Sequence, residues 1–338
     1  MHFREPFSIA YETVETADVV FVRLCDVEGR VGIGSGSPDP EVTGETLEMA
    51  LESLQERLHS EALATPGSLY GVHAYLEEAF ADSPSAQSAA EEALCSLLLQ
   101  QNLLSFTDVL PPIRSACPAT VTIGILEERA TAEEVRRRLD EGFRSIKMKC
   151  GTDLATDLRK IQKSLALLPP DGSLLLDANQ GYAMAEAVEC LNALKDSGIV
   201  LIEQPVSAAD LEGLRTLHHM QSIPVVADEA AVRFAGVKQL LDGDYAAGVN
   251  VKLMKCGGLL NAERIIRYAK EHDKIVLIGC MYESNVSLTT AAHIALAFEV
   301  DVADIDSGNM DFDDDPATGG FRVQDGYISV GYPLRVSL

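Results

Sequence analysis

Polar residues whose types suit catalysis recur at one place in this chain, the end of a short apolar run. Asp177 closes the run Ser173–Asp177, Glu203 closes Ile199–Glu203, and Asp228 closes Pro224–Asp228. If successive runs are adjacent strands, these three side chains can converge on one point. Converging carboxylates repel unless a cation sits among them. Hard oxygen donors suit Mg²⁺, with water or substrate oxygen in the remaining positions. Glu229 follows Asp228, and neighbours on a strand face opposite ways. Asp228 is therefore assigned to the metal and Glu229 to a supporting place. Lys147 and Lys149 are two apart in Ser145–Lys149 and share a face, while Lys252 lies on Val249–Leu253, expected across the site. A substrate between them would meet an ammonium on each side. A lysine beside another lysine and a metal has its charged form disfavoured and can act as a base. Asp304 and Asp306, again two apart, end the run Asp301–Asp306.

The elements that must hold these residues follow a rhythm. Apolar runs begin at Thr120–Leu126 and recur about every 25 residues, with Lys274–Cys280 completing a set of eight. Most gaps carry amphipathic helical spacing, and Thr131-x-x-Glu134 has the form of a capping box at a helix start. Eight β runs alternating with helices predict an α/β fold, a parallel barrel of the TIM type. An open doubly wound sheet would want a phosphate loop after its first strand, and Gly124-Ile125-Leu126 is not one. Residues 1–117 differ in texture. Val19–Leu24 and Val31–Gly36 predict an antiparallel hairpin, Thr43–His59 and Ala86–Leu99 predict helices, and Pro111-Pro112 reads as a linker. The expected divisions are an α+β domain over 1–117, the barrel over 118–318, and a β segment over 319–338 that returns to the first domain. Gly32-Ile33-Gly34-Ser35-Gly36 is read as part of the first domain rather than a phosphate cradle. The acidic run Asp311, Asp313, Asp314 and Asp315 is read as a solvated loop, since it lacks the spacing of a calcium loop.

Composition excludes several classes. The 338 residues carry 27 Lys plus Arg against 52 Asp plus Glu, a formal net charge of −25. So acidic a surface argues against nucleic acid and anionic membranes as partners. No apolar run approaches the ~20 residues of a membrane helix, and Met1–Pro6 has no apolar core of a secretory signal. Seven cysteines without a CxxC pair fit reduced thiols and a cytoplasmic setting.

Taken together, Lys147-Met148-Lys149, Asp177-Ala178-Asn179-Gln180-Gly181, Ile202-Glu203-Gln204-Pro205, Ala227-Asp228-Glu229 and Val251-Lys252-Leu253-Met254-Lys255-Cys256-Gly257-Gly258 resemble the enolase superfamily, in its muconate-lactonizing-enzyme subgroup. The resemblance covers nearly the whole chain. It implies a modified TIM barrel, (β/α)7β, with an N-terminal α+β capping domain. It implies Mg²⁺ held by Asp177, Glu203 and Asp228, and removal of a proton α to a carboxylate to give an enediolate. It places the two acid/base lysines at Lys149 and Lys252, and gives Lys147 the substrate carboxylate. Asp304 and Asp306 match an Asp-x-Asp that dipeptide epimerases use for the substrate's α-ammonium. The expected substrate is accordingly a dipeptide. A cycloisomerase or o-succinylbenzoate synthase is the alternative within the superfamily, and a non-catalytic ligand-binding barrel the alternative outside it. Relatives that act on Ala-Glu tend to carry an arginine after the first Pro-Phe. Here Glu12 stands at that place, which points to a non-acidic or cationic dipeptide. Barrels of this group often form homo-oligomers, and the sequence fixes no number.

Overall fold

The computed structural model describes residues 1–58 and 69–338. Eight parallel strands form the central sheet: β6 Thr120–Ile123, β7 Ser145–Lys149, β8 Ser173–Asp177, β9 Ile202–Glu203, β10 Val225–Ala227, β11 Gly248–Val251, β12 Ile275–Gly279 and β13 Val302–Asp304. Between them run α4 Glu128–Asp140, α5 Leu154–Leu165, α6 Met184–Leu194, α7 Leu211–His219, α8 Arg233–Asp242, α9 Leu259–Glu271 and α10 Asn285–Ala297. The strands pair in sequence order, so the eight curl into a (β/α)7β barrel. At the seam, β13 and β6 are joined by side chains: Thr122 of β6 donates its backbone N–H to Asp306 and its hydroxyl to Asp304 at 3.3 Å.

Strand alternation sorts the barrel lining into layers. Leu175, Leu201, Val226 and Leu277 form a buried apolar cluster. Three of them lie two residues before Asp177, Glu203 and Asp228, so an apolar plug sits one layer beneath the carboxylates. The larger core lies outside the sheet, where Val135, Ile161, Leu191, Leu214 and Ile265 of the helices pack on it.

The N-terminal part comprises two hairpins, β1 His2–Ser8 with β2 Thr13–Thr16 and β3 Val20–Cys25 with β4 Val31–Gly36. Helices α1 Leu47–Arg57, α2 Leu69–Ala79 and α3 Pro84–Gln101 accompany them. The helix expected over Thr43–His59 begins later, after Thr46, whose hydroxyl caps it; His59 lies outside the described residues. The glycines of β4 have a packing role. A Cβ at Gly34 would stand 2.0 Å from the Ala89 carbonyl of α3, and one at Gly32 2.0 Å from that of Ala93. Strand and helix meet at backbone distance because neither carries bulk there.

Two expectations need correction and a third an addition. Helix α4 starts a turn before Thr131, which lies buried inside it and donates its hydroxyl to the Glu127 carbonyl at 3.1 Å. Glu134 pairs with Arg137 and Arg138, so no capping box forms. The C-terminal hairpin, β14 Ala317–Gln324 with β15 Tyr327–Val336, pairs with β5 Cys117–Pro118. Its main packing partner is α10 of the barrel rather than the capping domain. The acidic run is exposed at Asp313 and Asp314, as expected of a solvated loop, and it also clasps the N-terminal strand and the start of α10. Asp313 pairs with Arg4 and Asp314 with His2, while Asp315 accepts from the Ser284 hydroxyl and the Asn285 N–H at the start of α10. Phe312, just before them, packs its ring at a tilt against Phe3 of β1, ring centroids 4.5 Å apart. No helix among the described residues is long and apolar enough to cross a membrane.

Candidate active site

The C-terminal ends of the barrel strands open into a cavity of about 790 Å³. Asp177 at the end of β8, Glu203 at the end of β9 and Asp228 just past β10 are buried there, with one carboxylate oxygen of each within 4.8 Å of the others. Three hard donors at this spacing fit a small divalent cation. Glu203 Oε1 is buried without a hydrogen-bond partner, as an oxygen reserved for a metal would be. Its other oxygen accepts from Asn250 Nδ2 at 2.7 Å. Burial raises the Glu203 carboxyl to about 8, with Lys147 opposing and Asp177 adding to the rise.

The lysines ring the carboxylates. Lys149 Nζ donates to Asp177 at 2.7 Å and to Asn179 Oδ1 at 2.8 Å. Lys252 Nζ donates to Asp228 at 2.8 Å, from the other side. Lys147 pairs with Asp304 and stands 3.6 Å from both Asp177 and Glu203. Burial alone would disfavour the charged forms of Lys252 and Lys147. For Lys252 the attraction of Asp228 outweighs it, and for Lys147 that of Asp304, Glu203 and Asp177, so both are held charged. The expected neutral base therefore requires the carboxylate charge to be compensated by something else.

Asp304 and Asp306 both line the cavity as expected, one engaged by Lys147 and the other by Thr122. Glu12 sits near the tip of the β1–β2 hairpin and also lines the cavity, beside Tyr11 and Asp39. Burial, with Asp39 and Glu41 adding, raises its carboxyl. Glu229 was expected to face away from Asp228. However, β10 ends at Ala227, strand alternation stops there, and Glu229 reaches the cavity wall, accepting from Asn179 Nδ2 at 3.0 Å.

Two participants escaped the sequence reading. Asn250 orients Glu203, and its place two residues before Lys252 was the available signal. Gly279 leaves it room, since a Cβ there would stand 2.4 Å from Asn250 Oδ1. Lys255, fully buried one helical turn after Lys252, donates to the Asp228 carboxylate, the Asp228 carbonyl and the Asn250 carbonyl. Nothing in strand parity marks it. A second cluster, His218, His219 and Asp244, lies away from the cavity, and Lys274 already holds Asp244 at 2.6 Å.

Residues 130–332 match the family described as Enolase C-terminal domain-like. The chain belongs to this family. It is 32% identical over 325 residues to the hydrophobic dipeptide epimerase of Enterococcus faecalis, covering 95% of this chain and 91% of that one. It is 33% identical over 328 residues to the L-Lys-D/L-Arg epimerase of Methylococcus capsulatus, covering 96% and 92%. A crystal structure of the dipeptide epimerase from Methylococcus capsulatus, complexed with Mg and the dipeptide L-Arg-D-Lys, superposes with a TM-score of 0.88 at 31% identity, covering 98% of this chain and 95% of that one. Its relatives are epimerases and racemases, and the enzyme is an isomerase of that kind.

Proposed function

We propose that this enzyme is a Mg²⁺-dependent dipeptide epimerase that inverts the α-carbon of the substrate's C-terminal residue. The observation that carries the reading is the placement of Lys149 and Lys252 on opposite sides of the three carboxylates, both lining one cavity. Inversion needs a proton removed from one face and returned to the other. Two ammonium/amine groups flanking one point supply an acid and a base for that. Asp177, Glu203 and Asp228 would hold the metal, which when bound neutralises the substrate carboxylate and favours the enediolate. Lys147 lies close enough to Asp177 and Glu203 to add positive charge where the enediolate oxygen develops. Asp304 and Asp306 offer acceptors for the substrate's amino group at the far wall.

The substrate reading is a dipeptide whose reacting residue is non-acidic, with a cationic side chain favoured. Glu12 and Asp39 on the cavity wall support it, because a second carboxylate beside them would be repelled and a guanidinium or ammonium attracted. The similarity to a relative named for Lys and Arg points the same way.

The deciding experiment incubates a dipeptide library with enzyme and Mg²⁺ in D₂O and reads mass and position of label. Deuterium at the C-terminal α-carbon of X-Arg or X-Lys is expected. Label on Ala-Glu equal to that on every cationic dipeptide would refute the side-chain assignment. No label on any dipeptide would shift the reading to cycloisomerase chemistry.

A further inference from the structure

The central cavity continues beyond Asp304 and Asp306. Thr122, which bonds both, also walls a second cavity, as do Phe7, Arg138, Met310 and Asp311. This second space is an open groove of about 1200 Å³ between β1, the loop Gly124–Leu126 and α4. A substrate whose amino end points at Asp304 and Asp306 therefore points into the mouth of the groove.

The groove's charges are largely spent on one another. Arg137 pairs with Glu134 and Glu141, and Arg138 pairs with the same two carboxylates. The rest of the lining includes Phe3, Pro6, Leu126 and Met310. A mixed wall without a strong net charge suits a peptide chain of varied side chains better than a phosphate or a small ion. At the mouth stands Asp311, half-buried, whose carboxyl lies close enough to Asp306 to feel its charge. Asp304, Asp306 and Asp311 each have a partner within the protein, Asp311 the Ser307 side chain, and each keeps acceptor capacity, so Asp311 adds a third carboxylate further along the same path.

We propose that this groove holds peptide residues that precede the dipeptide unit, so that the enzyme also inverts the C-terminal α-carbon of tripeptides and longer peptides. The inference rests on the epimerase reading above. The chemistry is the same: one α-carbon C–H bond breaks, one forms on the opposite face, and every peptide bond stays intact. One added residue displaces the ammonium by at most about 3.6 Å, from the Asp304–Asp306 pair toward Asp311. A peptide N–H then takes the ammonium's former place, still as a donor to a carboxylate.

The test compares α-deuteration of Lys-Arg and Ala-Lys-Arg in D₂O with Mg²⁺, on the full chain and on two groove variants. Leu126→Trp fills the groove from the loop and Glu141→Trp from the residue that follows α4; both residues are exposed, and Glu134 still holds the two arginines that Glu141 releases, so the fold tolerates them. The tripeptide is expected to exchange within about tenfold of the dipeptide, and each tryptophan to lower the tripeptide-to-dipeptide ratio of kcat/KM by about tenfold or more. Label on the dipeptide alone overturns the groove assignment and leaves the epimerase reading standing. A ratio unmoved by both tryptophans overturns it as well. Absence of label on both peptides overturns the epimerase reading, and the groove with it.

Discussion

At the residue scale, the three carboxylates and the lysines around them form a mutually neutralised set. Asp177 has Lys149, Glu203 has Lys147 nearby, and Asp228 has both Lys252 and Lys255. The fold therefore has internal compensation for its buried negative charge. Chelation by EDTA is expected to abolish α-proton exchange while leaving the far-ultraviolet circular dichroism unchanged, with Mg²⁺ restoring activity; loss of secondary structure on chelation would contradict this. The lysines are not equivalent. Lys149→Ala or Lys252→Ala should each lower epimerisation by at least about a hundredfold. Each should still allow deuterium exchange of the one epimer whose α-proton faces the remaining lysine, which proton NMR of separately supplied epimers would reveal. Lys255 ties the Asp228 carboxylate and carbonyl to the Asn250 carbonyl, so Lys255→Met should lower stability, by less than the about 3–5 kcal/mol of a buried pair broken outright because Lys252 still holds Asp228. Urea denaturation would measure it. The cavity residues that alternation exposes, Lys147, Lys149, Asp177, Glu203, Asp304 and Asp306, were legible because each ends an apolar run with the right parity. Lys255 was not, because a helical turn after β11 folds it back under Asp228, and no strand period describes that turn.

At the element scale, the barrel was legible, as were the β3–β4 hairpin and the helix over Ala86–Leu99, whereas the long-range attachments were not. β7 and β8 stand where their apolar runs stood, because a strand buried on both faces is apolar throughout until its polar end. The C-terminal hairpin and the acidic clasp depend on contacts across the whole chain, such as Asp314 with His2, that carry no local period. The capping helix α3 meets the barrel through a buried carboxyl. Glu92 accepts from the Ser35 N–H at 3.0 Å and from the Thr290 hydroxyl of α10. Burial raises it from 4.5 to about 8, against the pull of these two hydrogen bonds, with Glu283 and Glu91 adding to the rise. Between those values the native state keeps a proton that the unfolded chain has shed. Stability should therefore fall as pH rises from about 5 to about 8. Glu92→Gln should flatten that slope, read as urea midpoints across the range. An unchanged slope would place the proton elsewhere. The β4–α3 contact gives a second test at this scale: Gly34→Ala must push backbone from backbone, at a cost of roughly 1–3 kcal/mol.

At the scale of the whole molecule, the charge of −25 acts on the substrate before any contact is made. An acidic surface around a cavity with Glu12, Asp39 and Asp311 on its walls concentrates cations and steers them inward. A dipeptide with a cationic side chain and a free ammonium has one net positive charge at neutral pH even after its carboxylate is counted. A neutral dipeptide such as Ala-Leu has none, and Ala-Glu is negative. The field therefore separates the three classes in the same order as the cavity wall does, but with a different dependence on salt. Screening shortens the reach of the field from about 10 Å at 0.1 M to about 3 Å at 1 M salt, while contacts inside the cavity are screened far less. Raising NaCl across that range should raise KM for a Lys- or Arg-terminated dipeptide severalfold, leave that of Ala-Leu nearly constant, and leave kcat for both little changed. If KM for the cationic substrate proves as flat as that of Ala-Leu, its preference comes from the cavity wall alone, and Glu12→Gln should then remove it at every salt concentration.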